Sequence, residues 1–125
     1  MIDHIGITVT NFDKCKQFYI EALKSLGFEL IMDLEIEGKY YAGFGPKGKP
    51  VFWLYKGEKT QPRVHVAFHA KSRNEVDAFY ADAINVGGID NGKPGIREHY
   101  HPNYYGAFVL DPEGHNIEAV CHDPV

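Results

Sequence analysis

The sequence is poor in features that would assign a role from composition alone. It holds two cysteines, Cys15 and Cys121, too few and too irregularly placed for a disulfide framework or a Cys-x-x-Cys zinc site. A reducing cytoplasm is the expected location. There is no basic block: 13 Lys and Arg against 17 Asp and Glu give a formal charge of -4, which offers nucleic acid or an anionic membrane no electrostatic footprint. No apolar run approaches spanning length, and Met1 leads straight into Ile2-Asp3-His4 without a charged and then apolar leader, so neither export nor insertion is expected. Small-molecule or protein partners remain. With 44% hydrophobic residues, the chain suits one compact domain, residues 1–125, whose core needs no staples.

What is present reads as strands and helices in a repeated order. "HIGITVT" and "RVHVAFHA" are rich in β-branched or aromatic residues and read as strands. A helix follows each. In the first, Phe12, Cys15, Phe18, Tyr19, Ala22, Leu23 and Leu26 share one face and Gly27 ends it. In the second, Ser72 and Glu75 have capping-box spacing, Val76, Phe79, Tyr80, Ala83 and Ile84 form the stripe, and Gly87-Gly88 ends it. Three short strands then follow each helix: "FELIMDLEI", "KYYAGFG" and "PVFWLYK", then "IDNGKPGIREHY", "YYGAFVL" and "NIEAVCH".

The order β-α-β-β-β therefore occurs twice, over residues 1–60 and 61–125, and residue matches support a repeat. An offset of 61 takes His4 to His65, Cys15 to Val76, Phe18 to Phe79, Ala22 to Ala83 and Gly27 to Gly88. Further on, "YYAGF" pairs with "YYGAF" at 64 and "PKGKPVFWL" with "PEGHNIEAV" at 66. Each module is too small to bury its own sheet face, so the expected fold is α+β, two tandem βαβββ modules pairing into a curved mixed sheet with a concave cup.

Strand alternation then places three side chains together. His4 shares a face with Gly6 and Thr8, opposite Ile5, Ile7 and Val9, which the helix should cover. His65 points into the cup with Ala67 and His69. Ile117 and Ala119 take the helix side of the last strand, which leaves Glu118 in the cup. Two imidazoles and a carboxylate form a recognised set for zinc, iron, manganese, nickel or cobalt, and a bound cation would offset the cost of burying an acid.

These segments, "IDHIGITV", "FY" with "LGF" after the first helix, "HVAF" and the closing "DPEGHNIEAV", resemble the vicinal oxygen chelate superfamily. That group includes glyoxalase I, methylmalonyl-CoA epimerase, extradiol dioxygenases, fosfomycin resistance enzymes and bleomycin resistance proteins. The resemblance spans nearly the whole chain. It implies the glyoxalase/bleomycin resistance/dihydroxybiphenyl dioxygenase fold, one divalent metal per site, ligands at His4, His65 and Glu118, and a homodimer in which modules of two chains complete each cup. Glyoxalase I and the epimerase use a fourth ligand on the last strand of the first module. The offset of 66 puts Phe52 there, and neither it nor the neighbouring Trp53 and Leu54 binds a metal. Three ligands resemble the dioxygenase and fosfomycin sets, although the dioxygenases are larger and the fosfomycin enzymes carry a threonine where this chain has Gly6.

The implied function is a glyoxalase-like, metal-dependent lyase, isomerase or dioxygenase that holds a small substrate through vicinal oxygens, distinct from a standard glyoxalase I. The alternative is a non-catalytic binder of the bleomycin-resistance type. Glu118, His69, His101 and Tyr104 are the candidates for proton transfer, and Phe52, Trp53, Tyr105 and His99 for substrate contact. Asp111-Pro112-Glu113-Gly114 reads as a turn without chemistry.

Overall fold

A computed structural model describes residues 1–125. The first module comprises β1 (Ile5–Val9), α1 (Phe12–Leu23) with a 3-10 turn over Lys24–Leu26, β2 (Glu29–Ile36), β3 (Lys39–Gly45) and β4 (Phe52–Lys56). The second comprises β5 (His65–His69), α2 (Arg73–Asn85), β6 (Ile89–Ile96), β7 (Tyr105–Leu110) and β8 (Asn116–Cys121). Each module folds into its own four-stranded sheet, in the orders β1-β4-β3-β2 and β5-β8-β7-β6. The first strand of each module pairs in parallel with the last, and the other pairings are antiparallel. No helix is long and apolar enough to cross a membrane.

Local chemistry sets the helix limits. The Asn11 side chain caps α1 by accepting from the Lys14 N–H, and Gly27 ends the following turn at φ +82°, a conformation that costs glycine nothing. Ser72 caps α2 by accepting from the Glu75 N–H, while the Glu75 carboxylate accepts from Lys71 N–H rather than from Ser72. The expected stripe of α2 holds at Val76, Phe79 and Ala83, but Ile84 lies at the surface.

Both helices bury their apolar faces in one shared core. A single cluster of 23 buried residues draws on both modules, with Phe52 of β4 against Phe68 of β5 at 5.4 Å between ring centroids. Burial alternates as expected: Ile7, Val9, Phe52, Leu54, Ile117 and Ala119 all lie in this core. The opposite face of each sheet carries no helix.

The strand register corrects the repeat alignment. Gly6 is paired with Trp53 in the first sheet, and its repeat mate Ala67 with Glu118 in the second. Likewise Gly43 faces Trp53, and Phe108 faces Glu118. Trp53, not Phe52, is therefore the counterpart of Glu118, at an offset of 65 that runs from Tyr40 and Tyr105 to the last strands. Sequence similarity favoured 64 from the tyrosine pairs and 66 from the turns, but hydrogen bonding and burial set the register.

Candidate metal and substrate site

The second sheet builds its half of the site around Glu118. Because Ile117 and Ala119 are held in the core, alternation turns Glu118 to the open face, where it is nevertheless only 1% exposed. Both carboxylate oxygens accept hydrogen bonds. His65 Nε2 lies 2.8 Å from Oε1, and the Tyr104 hydroxyl donates to Oε2. Gly106 makes room for this arrangement, since a Cβ there would sit 3.1 Å from Tyr104 Cε1 and 3.2 Å from Glu118 Oε2. Burial, followed by the adjoining Glu118 carboxylate, pushes the Tyr104 phenol above its ordinary value, so it remains a proton donor at neutral pH. With His99, Tyr100 and Phe108, these groups wall a cavity of about 490 Å³.

Three further histidines gather beside this cavity. Asn103 N–H donates to His101 Nδ1 at 3.0 Å, which puts the proton of a neutral His101 on Nε2. That nitrogen lies 2.6 Å from His122 Nδ1, so the pair makes an ordered donor–acceptor contact. The His69 ring stacks on His122 with centroids 6.3 Å apart. The His101–His122 contact ties the segment carrying His99, Tyr100 and Tyr104 to the end of β8.

The first sheet presents a different half. His4 immediately precedes β1, and its Nδ1 lies 2.7 Å from Asp3 Oδ1. Lys49 Nζ reaches both Asp3 oxygens at 3.0 Å. The bond from His4 and then that from Lys49 hold the Asp3 carboxyl below its ordinary range. With its Nδ1 proton directed at Asp3, a neutral His4 keeps a free lone pair on Nε2, the arrangement that a metal-ligating histidine requires. Trp53, Tyr41 and Tyr55 line a cavity of about 410 Å³ with this corner.

The donor types suit a divalent ion. His65 Nε2 and Glu118 Oε1 are separated by 2.8 Å, a spacing that two atoms each about 2.1 Å from one ion can span. His4 joins them less directly: it and His65 both line a cavity of about 460 Å³ that Ile5, Val66 and Phe68 also border. Within one chain, no group of three or more His, Cys, Asp or Glu side chains is close enough to hold an ion.

Two expected substrate contacts lie elsewhere. Phe52 is 1% exposed and packs on Tyr19 at 4.9 Å, because its position in β4 faces the helix side. Tyr105 donates to Asp77 of α2 at 2.6 Å and carries the Arg73 guanidinium over its ring at 5.1 Å, so it braces the helix. Trp53 and His99 do line cavities. Sequence reading missed Asp3 and Lys49. The signal for Asp3 was present, since a carboxylate beside a candidate ligand histidine can orient its ring; Lys49 comes from a loop distant in sequence and gave none.

The Asp111–Gly114 turn also does more than reverse the chain. Asp111, 2% exposed, accepts from Glu113 and His115 N–H and from the Tyr19 hydroxyl. Glu113 in turn accepts from the Thr10 and Asn11 N–H groups and the Thr10 hydroxyl, tying the second module to the start of α1.

A model of the Glyoxalase/Bleomycin resistance protein/Dioxygenase superfamily matches residues 1–119. Among solved structures, the chain is similar to a glyoxalase/bleomycin resistance protein from Albidiferax ferrireducens T118, with 26% identity, TM-score 0.75, and coverage of 95% of this chain and 97% of the other. A glyoxalase/bleomycin resistance protein/dioxygenase family enzyme from Burkholderia phytofirmans PsJN shares the fold at 18% identity and TM-score 0.71, covering 98% of each chain. Glyoxalase I from Zea mays does so at 18% identity and TM-score 0.73, over 95% of this chain and 43% of the maize chain. Comparison with curated proteins gives no match.

Proposed function

Because the chain belongs to the glyoxalase/bleomycin resistance protein/dioxygenase superfamily, we propose that it is an enzyme that binds a small substrate through two adjacent oxygens at a divalent ion held by His4, His65 and Glu118. The observation that carries this reading is Glu118 itself, an acid buried to 1% exposure with a histidine nitrogen 2.8 Å from one oxygen. His65 and Tyr104 hydrogen-bond its two oxygens, and a cation shared with His65 would further offset the cost of its buried charge. When bound, the ion would act as a Lewis acid on the substrate oxygens.

The residues divide the remaining work. His65 would exchange its hydrogen bond to Glu118 for ligation through Nε2, 2.8 Å from Oε1. Tyr104 holds Glu118 Oε2 in place and remains protonated, so the Tyr104–Glu118 pair can return a proton to a substrate in the cavity that both line. Trp53 stands where the second module has its acid, so the first module adds no carboxylate at that position. Isomerisation of the methylglyoxal–glutathione adduct should therefore be weak or absent.

A homodimer completes this reading. One chain does not bring three ligands together, and β2 and β6 are open sheet edges carrying exposed Met32, Leu34, Ile36, Ile89 and Ile96. A second copy would cover such edges and add a half-site. The same lack of an intrachain trio favours a second reading, a binding protein that uses the cup without an ion.

Metal analysis of tag-free protein tests the proposal. About one divalent ion per site is expected, with occupancy falling in His65→Ala and Glu118→Gln. Full wild-type occupancy in both variants overturns the ligand assignment. Light scattering that finds only monomer overturns the dimer, and ligand binding unaffected by chelator favours the ion-free binder.

A further inference from the structure

On the open face of the first sheet, glycines let aromatic rings lie against the backbone. Gly6, Trp53 and Gly43 lie side by side on β1, β4 and β3. With glycine on both flanking strands, no side chain rises from the positions paired with Trp53. A Cβ at Gly43 would come within 2.9 Å of two Trp53 ring atoms, and one at Gly6 would overlap Tyr55, with 2.8 Å to its hydroxyl oxygen. Both rings therefore lie down over bare backbone. Tyr41 meets Tyr55 edge-on at 5.8 Å, and Leu34 and Ile36 form an apolar wall.

One corner of this floor is polar. Lys49 gives two hydrogen bonds to Asp3, which leaves one of its three donors free. His4 turns its Nδ1 to Asp3 and also lines this cavity, so its Nε2 is the ring nitrogen available to a hydroxyl. A flat ring would stack on the floor, its carboxylate would meet Lys49, and an adjacent hydroxyl would face His4. The cavity of about 410 Å³ is of ligand size.

We propose that this face is a stacking platform for a planar aromatic hydroxy acid, with the hydroxyl and carboxylate on adjacent ring carbons. This names the substrate class of the site above and rests on that reading only where the oxygens reach His4 and its ion. The platform is separable, because ring stacking on Trp53 does not require the metal.

The chain has one tryptophan, so its emission reports directly on the platform. Salicylate, benzoate and cis-2-hydroxycyclohexanecarboxylate would be titrated into full-length protein, with and without divalent metal, by calorimetry and Trp53 fluorescence. Salicylate and benzoate should bind metal-free protein saturably and quench Trp53, and the saturated acid should bind about 10-fold more weakly. Trp53→Leu should weaken salicylate by a similar factor. Gly43→Val, which displaces the indole while keeping it, should do the same and serves if Trp53→Leu fails to fold. Added metal should tighten salicylate but not benzoate. Absence of that gain with flat-ring preference intact would support the platform and overturn the shared metal site. Equal binding of the flat and saturated acids, or Trp53 emission that responds only to protein concentration, would overturn the platform; the latter would identify a second copy as its occupant.

Discussion

The two modules place different chemistry on equivalent backbone. In the second, Ala67, Glu118 and Phe108 are neighbours across β5, β8 and β7, and the acid is closed in by His65 and Tyr104. In the first, the same positions hold Gly6, Trp53 and Gly43, and the indole lies over Gly43 while the Tyr55 ring lies over Gly6, where a Cβ would clash. One sheet thus makes an enclosed acid and the other an open aromatic floor. Strand register supplies the positions, and side-chain volume on the flanking strands decides whether a group stands or lies.

The sharpest way to break the contrast is Trp53→Glu, which gives the first module an acid at the position of Glu118. If the half-sites act on one ion, metal affinity should rise by at least about 10-fold, measured by competition with a chromophoric chelator. Unchanged affinity would show that Trp53 lies too far from the ion for the equivalence to matter. Tyr104→Phe removes the donor to Glu118 Oε2 and should lower metal affinity by about 10-fold, while circular dichroism stays native. An unaltered affinity would reduce Tyr104 to a packing residue.

The modules also differ in their last turns. Glu113 of the second reaches back to Thr10 and Asn11, but the corresponding turn of the first module, Pro46-Lys47-Gly48-Lys49, holds no acid. Glu113→Ala should cost about 1 to 2 kcal/mol in urea unfolding. Burial raises the Glu113 carboxyl, but the hydrogen bonds from Asn11 and Thr10 outweigh it, and the net shift is downward from 4.5. The contribution is therefore present above that pH and lost as pH falls below it, so wild type and Glu113→Ala should converge in stability in acid. The smallest effect belongs to Gly6→Ala. It presses only on the Tyr55 ring, which can swing away, so stability should change by under about 1 kcal/mol while platform ligands bind more weakly.

Much of this was readable because it depends on local periodicity. The helix faces, the Gly27 stop, the Ser72 cap and the two-residue alternation that separates Ile117 and Ala119 from Glu118 follow from backbone geometry over a few residues. Phe52 was misplaced for an equally physical reason. The turns "PKGKP" and "PEGHN" look alike, but a one-residue shift reverses every side chain in a strand, and burial of Phe52 and Ile117 allows only one register. Tyr105 was expected to contact substrate because its partners, Arg73 and Asp77, lie on a helix whose orientation periodicity does not supply.

The sequence by itself determined that there are two βαβββ modules, which strand faces are apolar, and that His4, His65 and Glu118 occupy open faces, since these follow from patterns within single elements. Only the tertiary structure decided that Glu118 is enclosed by Tyr104 and His65, that Asp3 orients His4 beside Lys49, and that Trp53, flanked by two glycines, lays its ring over Gly43. Those outcomes depend on residues brought together from separate strands and loops, and the side chain opposite a given position is set by hydrogen-bond register and packing.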